Sequence, residues 1–393
     1  MKKNLQHRGI PRGWQRVRLG EISDIKNGKT NTQDAVANGE YPLFDRSVAI
    51  KRSDKYLFDK AAVILPGEGA EFVPRYYSGK FDLHQRSYAI FPSNLVDAWF
   101  LCQYLYANRG VFSKNAVGST VKSLRLPIIQ AVDMLLPPLP EQKKIAEILG
   151  AVDDDIEKTD AVIQATEKLK RGLMQELLTR GIGHTKFKKT KLGEIPEEWQ
   201  EMKLGKIATI VRGGSPRPIE SFVTDANDGL NWLRIGDIEP GAKYITHTSQ
   251  KIKKIGLNKT VLVRRGDFIL SNSMSFGRPY IMNTDACVHD GWLAFKDIDS
   301  NLVNTEFLYY LLSSQTLQDG FAAIAVGSGV KNLKKESVSN ISVALPLVGE
   351  QRKIAEILSS VDKGIRANKD FRNKLLQLKK GLMLDLLSGK VRV

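Results

Sequence analysis

Cysteine is almost absent: the chain of 393 residues has two, Cys102 and Cys287, far apart and in no C-x-x-C pattern. That excludes a disulfide scaffold and a thiolate zinc site, and it suits a reducing compartment. Histidine is scarce too, with five scattered residues and no H-E-x-x-H pair to hold a metal. No run approaches the roughly 20 apolar residues that span a bilayer. Met1 to Gly13 lacks the apolar core of a secretory signal. The expectation is a soluble cytoplasmic protein with no membrane partner. What the chain has in excess is positive charge, +16 at neutral pH, which favours a polyanionic partner, nucleic acid first. At about 150 residues per domain the length allows two to three domains.

Catalytic signatures are missing as well. No glycine-rich cofactor fingerprint follows a predicted strand. Gly28-Lys29-Thr30 resembles the end of a phosphate-binding loop, but Ser23 stands where that loop needs its first glycine. His84 and His289 fit a polar contact or a satisfied buried histidine better than a metal ligand. There is no Asn/Asp-Pro-Pro-aromatic signature of amino-group DNA methylation, and no acidic spacing isolates a nuclease cluster. The chain reads as a binder with no catalytic residue, no metal site and no cofactor of its own.

The decisive positive feature is an internal duplication. Leu136 to Ile156 (LPPLPEQKKIAEILGAVDDDI) and Leu345 to Ile365 (LPLVGEQRKIAEILSSVDKGI) are identical at 13 of 21 positions with a constant offset of 209. The same offset relates Val117-Gly118-Ser119 to Val326-Gly327-Ser328, and Gly172-Leu173-Met174 to Gly381-Leu382-Met383. Each half opens on a weaker match, Trp14-Gln15 with Leu19-Gly20 and Trp199-Gln200 with Leu204-Gly205, at an offset of 185. Between these frames, about Lys26 to Leu95 and Val211 to Leu302, no alignment emerges. Those inserts read as mixed strands and turns, with strands at Tyr88 to Phe91 and Phe268 to Leu270 and helices at Asp97 to Tyr106 and Thr305 to Leu312.

After Pro140 the period changes, and Ile145, Leu149, Val152, Ile156, Thr159, Ile163, Thr166, Leu169 and Leu173 step by three and four. The second copy repeats this with Ile354, Leu358, Val361, Ile365, Asn368, Arg372, Leu375 and Leu382. Each run predicts a helix of about 40 residues, roughly 60 Å at 1.5 Å per residue. Uncapped helices of that length suggest a coiled coil. The middle of the first (Asp153, Asp154, Asp155, Glu157, Lys158, Asp160) is acidic, and that of the second (Lys363, Arg366, Lys369, Asp370, Arg372, Lys374) is basic. Two repeats related by a twofold run antiparallel, which brings these middles together.

A variable domain followed by a Leu-Pro…Glu-Gln-x-Lys-Ile-Ala-Glu-Ile-Leu helix, then the same again, resembles the DNA-specificity subunit of type I restriction-modification systems. The resemblance covers nearly the whole chain. It implies an α+β architecture: two target-recognition domains of mixed α/β structure, separated by two long helices forming an antiparallel coiled coil, in a pseudo-twofold internal repeat. The layout expected is a first recognition domain over residues 1–135, a spacer helix over 136–180, a basic linker over 181–195, a second recognition domain over 196–344 and a second spacer helix over 345–393. Each recognition domain would read half of a split double-stranded DNA target. Two methyltransferase subunits carrying S-adenosylmethionine, and restriction subunits driven by ATP and magnesium, would dock on the frame and do the chemistry. Helix length would act as a ruler for the gap.

The DNA-contacting residues are chosen by side-chain chemistry, since arginine and glutamine make bidentate base contacts while lysine and tyrosine suit phosphates. In the first insert these are Arg75, Tyr76, Tyr77, Lys80, Gln85 and Arg86. In the second they are Lys251, Lys253, Lys254, Arg264, Arg265, Asn272, Ser273 and Arg278. Lys122 and Lys331 recur in both halves and suit sequence-independent phosphate contact. Two rivals are a duplicated coiled-coil scaffold without nucleic acid, which leaves the dissimilar inserts unexplained, and a fused methyltransferase or nuclease, which the missing motifs oppose.

Overall fold

A computed structural model describes residues 10–272, 277–325 and 332–393. The chain divides into two compact units, Met1–Val162 with Asn368–Val393, and Ile163–Ala367. Five helices position the rest: α1 (Ala98–Ala107), α2 (Leu139–Leu177), α3 (Thr305–Ser313), α4 (Gln315–Ile324) and α5 (Val348–Leu386). The division between units falls inside α2 and α5, so each unit owns one part of each long helix.

In unit 1 the strands are β1 (Gln15–Arg18), β2 (Ser23–Asn27), β3 (Tyr41–Phe44), β4 (Lys51–Ser53), β5 (Phe58–Asp59), β6 (Ala62–Pro66), β7 (Arg75–Tyr77), β8 (Lys80–Leu83), β9 (Ser87–Pro92) and β10 (Asp133–Leu136). They form sheets of order β2-β9-β6-β7 and β4-β3-β8-β5, with β1 and β10 paired apart. β6 is buried at all five positions, as its uninterrupted apolar run Ala62-Val63-Ile64-Leu65 demands of a strand covered on both faces. Its alternate side chains enter two cores. Val63 and Leu65 join Trp14, Leu19, Phe100, Ile145, Leu149 and Leu386. Ala62 and Ile64 join Phe44, Phe81 and Phe91.

Unit 2 holds β11 (Phe187–Thr190), β12 (Gly193–Pro196), β13 (Gln200–Lys203), β14 (Thr209–Arg212), β15 (Val223–Thr224), β16 (Leu230–Leu233), β17 (Tyr244–Ile245), β18 (Gln250–Ile252), β19 (Val261–Val263), β20 (Phe268–Ser271), β21 (Pro279–Met282), β22 (Ala286–Val288), β23 (Trp292–Lys296) and β24 (Ser342–Leu345). Its sheets run β14-β23-β20-β21-β17 and β15-β18-β16-β22-β19. Removing β17 and β15 from their edges leaves the strand orders of unit 1. Even the parallel pair inside the second sheet of each unit is retained, β3 with β8 and β16 with β22. The inserts that do not align in sequence therefore share one topology.

Within unit 1, Asp153 of α2 takes Lys379 of α5 at 2.5 Å, and Asp160 takes Arg372 at 2.5 Å. Seven residues forward on one helix match seven backward on the other, the antiparallel heptad relation. Unit 2 has the reversed pair Lys170–Asp362 at 2.6 Å. Leu169, assigned to the seam by its spacing, is about half exposed. A 3.6-residue turn drifts against a 3.5-residue repeat, and here the drift turns Lys170 inward instead. The expected basic linker is also more than a tether. Its second part is the β11–β12 hairpin, turned at Gly193 with φ +98° and anchored by buried Ile195.

Candidate nucleic-acid interface

The repeated Glu-Gln pair sits at the junction of frame and insert in each unit. β1 pairs with β10 and β13 with β24, so the Trp-Gln opening lies beside the strand that feeds the long helix. Trp14 donates to Glu141 at 3.0 Å, and Trp199 to Glu350 at 3.3 Å. Gln142 and Gln351 are fully buried. Gln142 accepts from Asp97 N and donates to the carbonyls of Leu95 and Pro137. Gln351 accepts from Asn304 N and donates to Leu302 and Pro346. Asp97 and Asn304 in turn cap α1 and α3. One glutamine thus fixes the start of the spacer helix and the start of the insert's own helix together.

A second pin lies further along. Gln103 of α1 donates to Asp153 at 2.8 Å, and Tyr310 of α3 donates to Asp362 at 2.7 Å. Each aspartate also takes a lysine from the opposing long helix. The recognition fold of each unit is therefore fixed in orientation on its part of the helix pair.

The candidate residues of unit 1 scatter. Arg75 donates to Ser47 O at 2.6 Å. Tyr76 packs edge-on against Trp99, and Lys80 lies 4.7 Å above the Tyr56 ring. Gln85 and Arg86 are exposed in the turn between β8 and β9. Lys122 is exposed and donates to Ser113 O. Tyr77 is turned instead into the smaller core, against Phe44 and Phe81, because alternate residues of β7 face opposite sides.

In unit 2, Lys251, Lys253 and Lys254 bond Asn227 O, Ser221 O and Asp228. Arg264, Arg265 and Arg278 are exposed. Asn272 is not available to DNA: it is fully buried, and its amide joins Leu333 N to Asp290 O. A polar residue on a strand end looks the same in sequence whether it faces solvent or backbone. Ser273 and Lys331 lie outside the described residues, as does the second Val-Gly-Ser.

His84 and His289, one in each insert, do the same local work. The Nδ1 atom of His84 accepts the N–H of Arg86 at 3.2 Å, and that of His289 accepts Gly291 N–H at 3.0 Å. Burial pushes both rings below the ordinary histidine value, while Asp45 beside His84 and Asp290 beside His289 push the other way. Burial also pushes the thiols up, Cys102 to about 12 and Cys287 to about 11, so neither is a nucleophile at neutral pH. Among the described residues no group of histidine, cysteine and carboxylate side chains could hold a metal ion, and no helix is long and apolar enough to cross a membrane.

Comparison with known proteins agrees with this architecture. The chain is 26% identical over 412 aligned residues to the type I restriction enzyme MjaVIII specificity subunit of Methanocaldococcus jannaschii, covering 98% of this chain and 94% of that one. Its fold is similar to the crystal structure of a type I restriction-modification system S subunit from M. genitalium, with a TM-score of 0.64, 17% identity and 97% of each chain covered. A chain from a structural study of complex assembly and conformational transition of the type I R-M system matches with a TM-score of 0.59 and 16% identity, over 98% of this chain and all of that one. The type I restriction modification DNA specificity domain is matched twice, at residues 11–165 and 196–377, and the chain belongs to that family.

Proposed function

We propose that this chain is the recognition subunit of a type I restriction-modification complex and performs no chemistry itself. Unit 1 reads one half of a split double-stranded target and unit 2 the other. Their inserts share a topology but differ in sequence, so the two half-sites differ and the target is asymmetric. The observation that carries this reading is the pairing of α2 with α5 inside each unit, with each recognition fold pinned to that pair through Gln142 or Gln351. Rigid linkage turns two weak contacts into one tight contact that depends on spacing, because the second becomes intramolecular.

Methylation and cleavage belong to partners in this proposal. Two methyltransferase subunits bring S-adenosylmethionine, and restriction subunits bring ATP and magnesium. Leu169, Phe371 and Leu378 are each at least half exposed on the long helices, and apolar side chains so placed fit a protein partner. The complex works in the cytoplasm, where its DNA is. The test is an exchange of residues 26–95 for another member's insert, read by methylome mapping in cells carrying the cognate methyltransferase. One half of the methylated motif changes and the other stays. A change in both halves, or no bipartite motif in the wild type, sinks the reading.

A further inference from the structure

The two inserts meet their frames through the same piece of backbone. The 185-residue offset of the openings continues through Ile25/Ile210, Gly28/Gly213 and Thr30/Ser215. β2 pairs with β9, and β14 with β23. The glycine that follows donates to the partner strand in both cases, Gly28 to Ser87 O and Gly213 to Trp292 O. A Cβ on either glycine would stand 2.0 Å from a backbone carbonyl oxygen, that of Leu83 or His289, so no other residue fits without moving the chain. The next residue also bonds alike, Lys29 N to Leu83 O and Gly214 N to Val288 O. The histidine turns then complete the match, with His84 and His289 at an offset of 205.

On this shared platform the exposed side chains differ. In unit 1 Asn27 donates to Gln85 O, Gln85 meets Asn31, and Arg86 reaches Glu68 while 63% exposed. The equivalent of Asn27 is Arg212, which donates to Asp290 O at 3.1 Å. Asp290 replaces Gln85 and takes Ser215 at 2.8 Å, with Arg217 at 3.8 Å and 81% exposed. Beside it opens a cleft of about 620 Å³ with Arg217, Trp232 and His289 in its walls. A rigid crest repeated in backbone and changed in side-chain chemistry is what a protein reading two different sequences requires.

We propose that this crest is the base-reading edge of each unit, formed by Asn27, Gln85 and Arg86 in unit 1 and by Arg212, Arg217 and Asp290 in unit 2. The inference rests on the DNA-reading function proposed above and adds the residues that set its specificity. Asparagine and glutamine match the adenine N6/N7 edge, arginine matches guanine O6/N7, and aspartate accepts from cytosine N4. The unit 1 crest therefore suits a half-site holding an A·T and a G·C pair. The unit 2 crest, a carboxylate between guanidinium groups, suits G·C pairs.

The test uses the full chain with its cognate methyltransferase and genomic DNA as the probe, with the methylated motif mapped for the wild type, for Gln85→Ala with Arg86→Ala, and for Asp290→Ala. Each change relaxes or alters bases in one half only, a different half for each, with about a tenfold or greater loss of preference for the original base. Total loss of methylation with an unchanged melting temperature also supports the crest. If a variant melts lower, the near-isosteric Gln85→Glu or Asp290→Asn decides by its motif. Full methylation of an unchanged motif by both variants overturns the inference and leaves the DNA-reading function standing. A wild type without a bipartite motif overturns that function instead.

Discussion

Trp14 gives its indole N–H to Glu141 at 3.0 Å across a separation of 127 positions in the chain. The same carboxylate takes Arg392 on both oxygens. Its repeat mate Glu350 takes Trp199, and also His184 and the Ile182 N–H. Each long helix ends in a left-handed glycine, Gly181 at φ +69° and Gly389 at φ +67°, whose backbone lies against the tryptophan beside the other helix's glutamate. Replacing Glu141 with alanine strands a buried indole N–H. It should lower unit 1 stability by about 2 kcal/mol, measured as a shifted denaturant midpoint with an unchanged slope.

Gln142 should be still less replaceable. Its Oε1 accepts the Asp97 N–H, and its Nε2 serves two carbonyls. Leucine fills similar volume but takes these bonds away from three backbone groups at a buried site. Gln142→Leu should cost about 3 kcal/mol or more and loosen the start of α1, visible as faster amide exchange at Asp97 to Leu101. Gln351→Leu should do the same at Asn304 to Leu308 in unit 2. Equal exchange in variant and wild type would remove the proposed role of this residue.

Much of this was legible in the sequence because the frame repeats. Residues 136–156 and 345–365 retain nearly every side chain that makes a specific bond, so their spacing led directly to the two helices and the antiparallel pairing. The inserts were opaque for a physical reason. Their shared topology rests on backbone hydrogen bonds and on generic apolar burial, as in β6 and β20, which many sequences satisfy. The signal that was present is small: Ile25, Gly28 and Thr30 continuing the 185-residue offset, and a histidine after each of β8 and β22. Of the crest proposed above, side-chain type and charge single out Gln85 and Arg86 but not Asn27, Arg212, Arg217 or Asp290. Side-chain type also selects Asn272, which is fully buried, because burial on a strand end is decided by neighbours that come from elsewhere in the chain.

The two histidine turns give the protein an acid-side weakness. The folded state holds His84 and His289 below their unfolded value near 6.5. The folded protein thus binds fewer protons than the unfolded one just below that value. Their contribution is intact above about pH 6.5 and falls as the pH drops through it toward the depressed folded values. Protonation also removes the Nδ1 lone pair that accepts the backbone N–H. Asparagine at the same position can accept that N–H without titrating. His289→Asn should therefore lose less melting temperature than the wild type between about pH 7.5 and 5.5. An identical loss in both would mean that the ring's protonation does not matter to the turn.

The spacer helices can be lengthened without disturbing their seam only in one way. Asp153–Lys379 and Asp160–Arg372 are one heptad apart on both helices. An inserted heptad keeps this relation only if both helices receive it at matched points. The positions after Val162 and after Ala367, where the division between units crosses α2 and α5, serve, because on both helices they fall between the unit 1 pairs and Lys170–Asp362. Seven residues at 1.5 Å each add about 10 Å, or close to three base pairs at 3.4 Å. A chain with a heptad inserted after both residues should keep both half-sites and methylate a target whose gap is about three base pairs longer. Insertion after Val162 alone puts Lys170–Asp362 seven residues out of register with Asp153–Lys379 and Asp160–Arg372, so the two sets cannot form on one helix pair, and it should lower stability and abolish methylation. If the doubly extended chain kept the original gap, helix length would not be what sets the spacing.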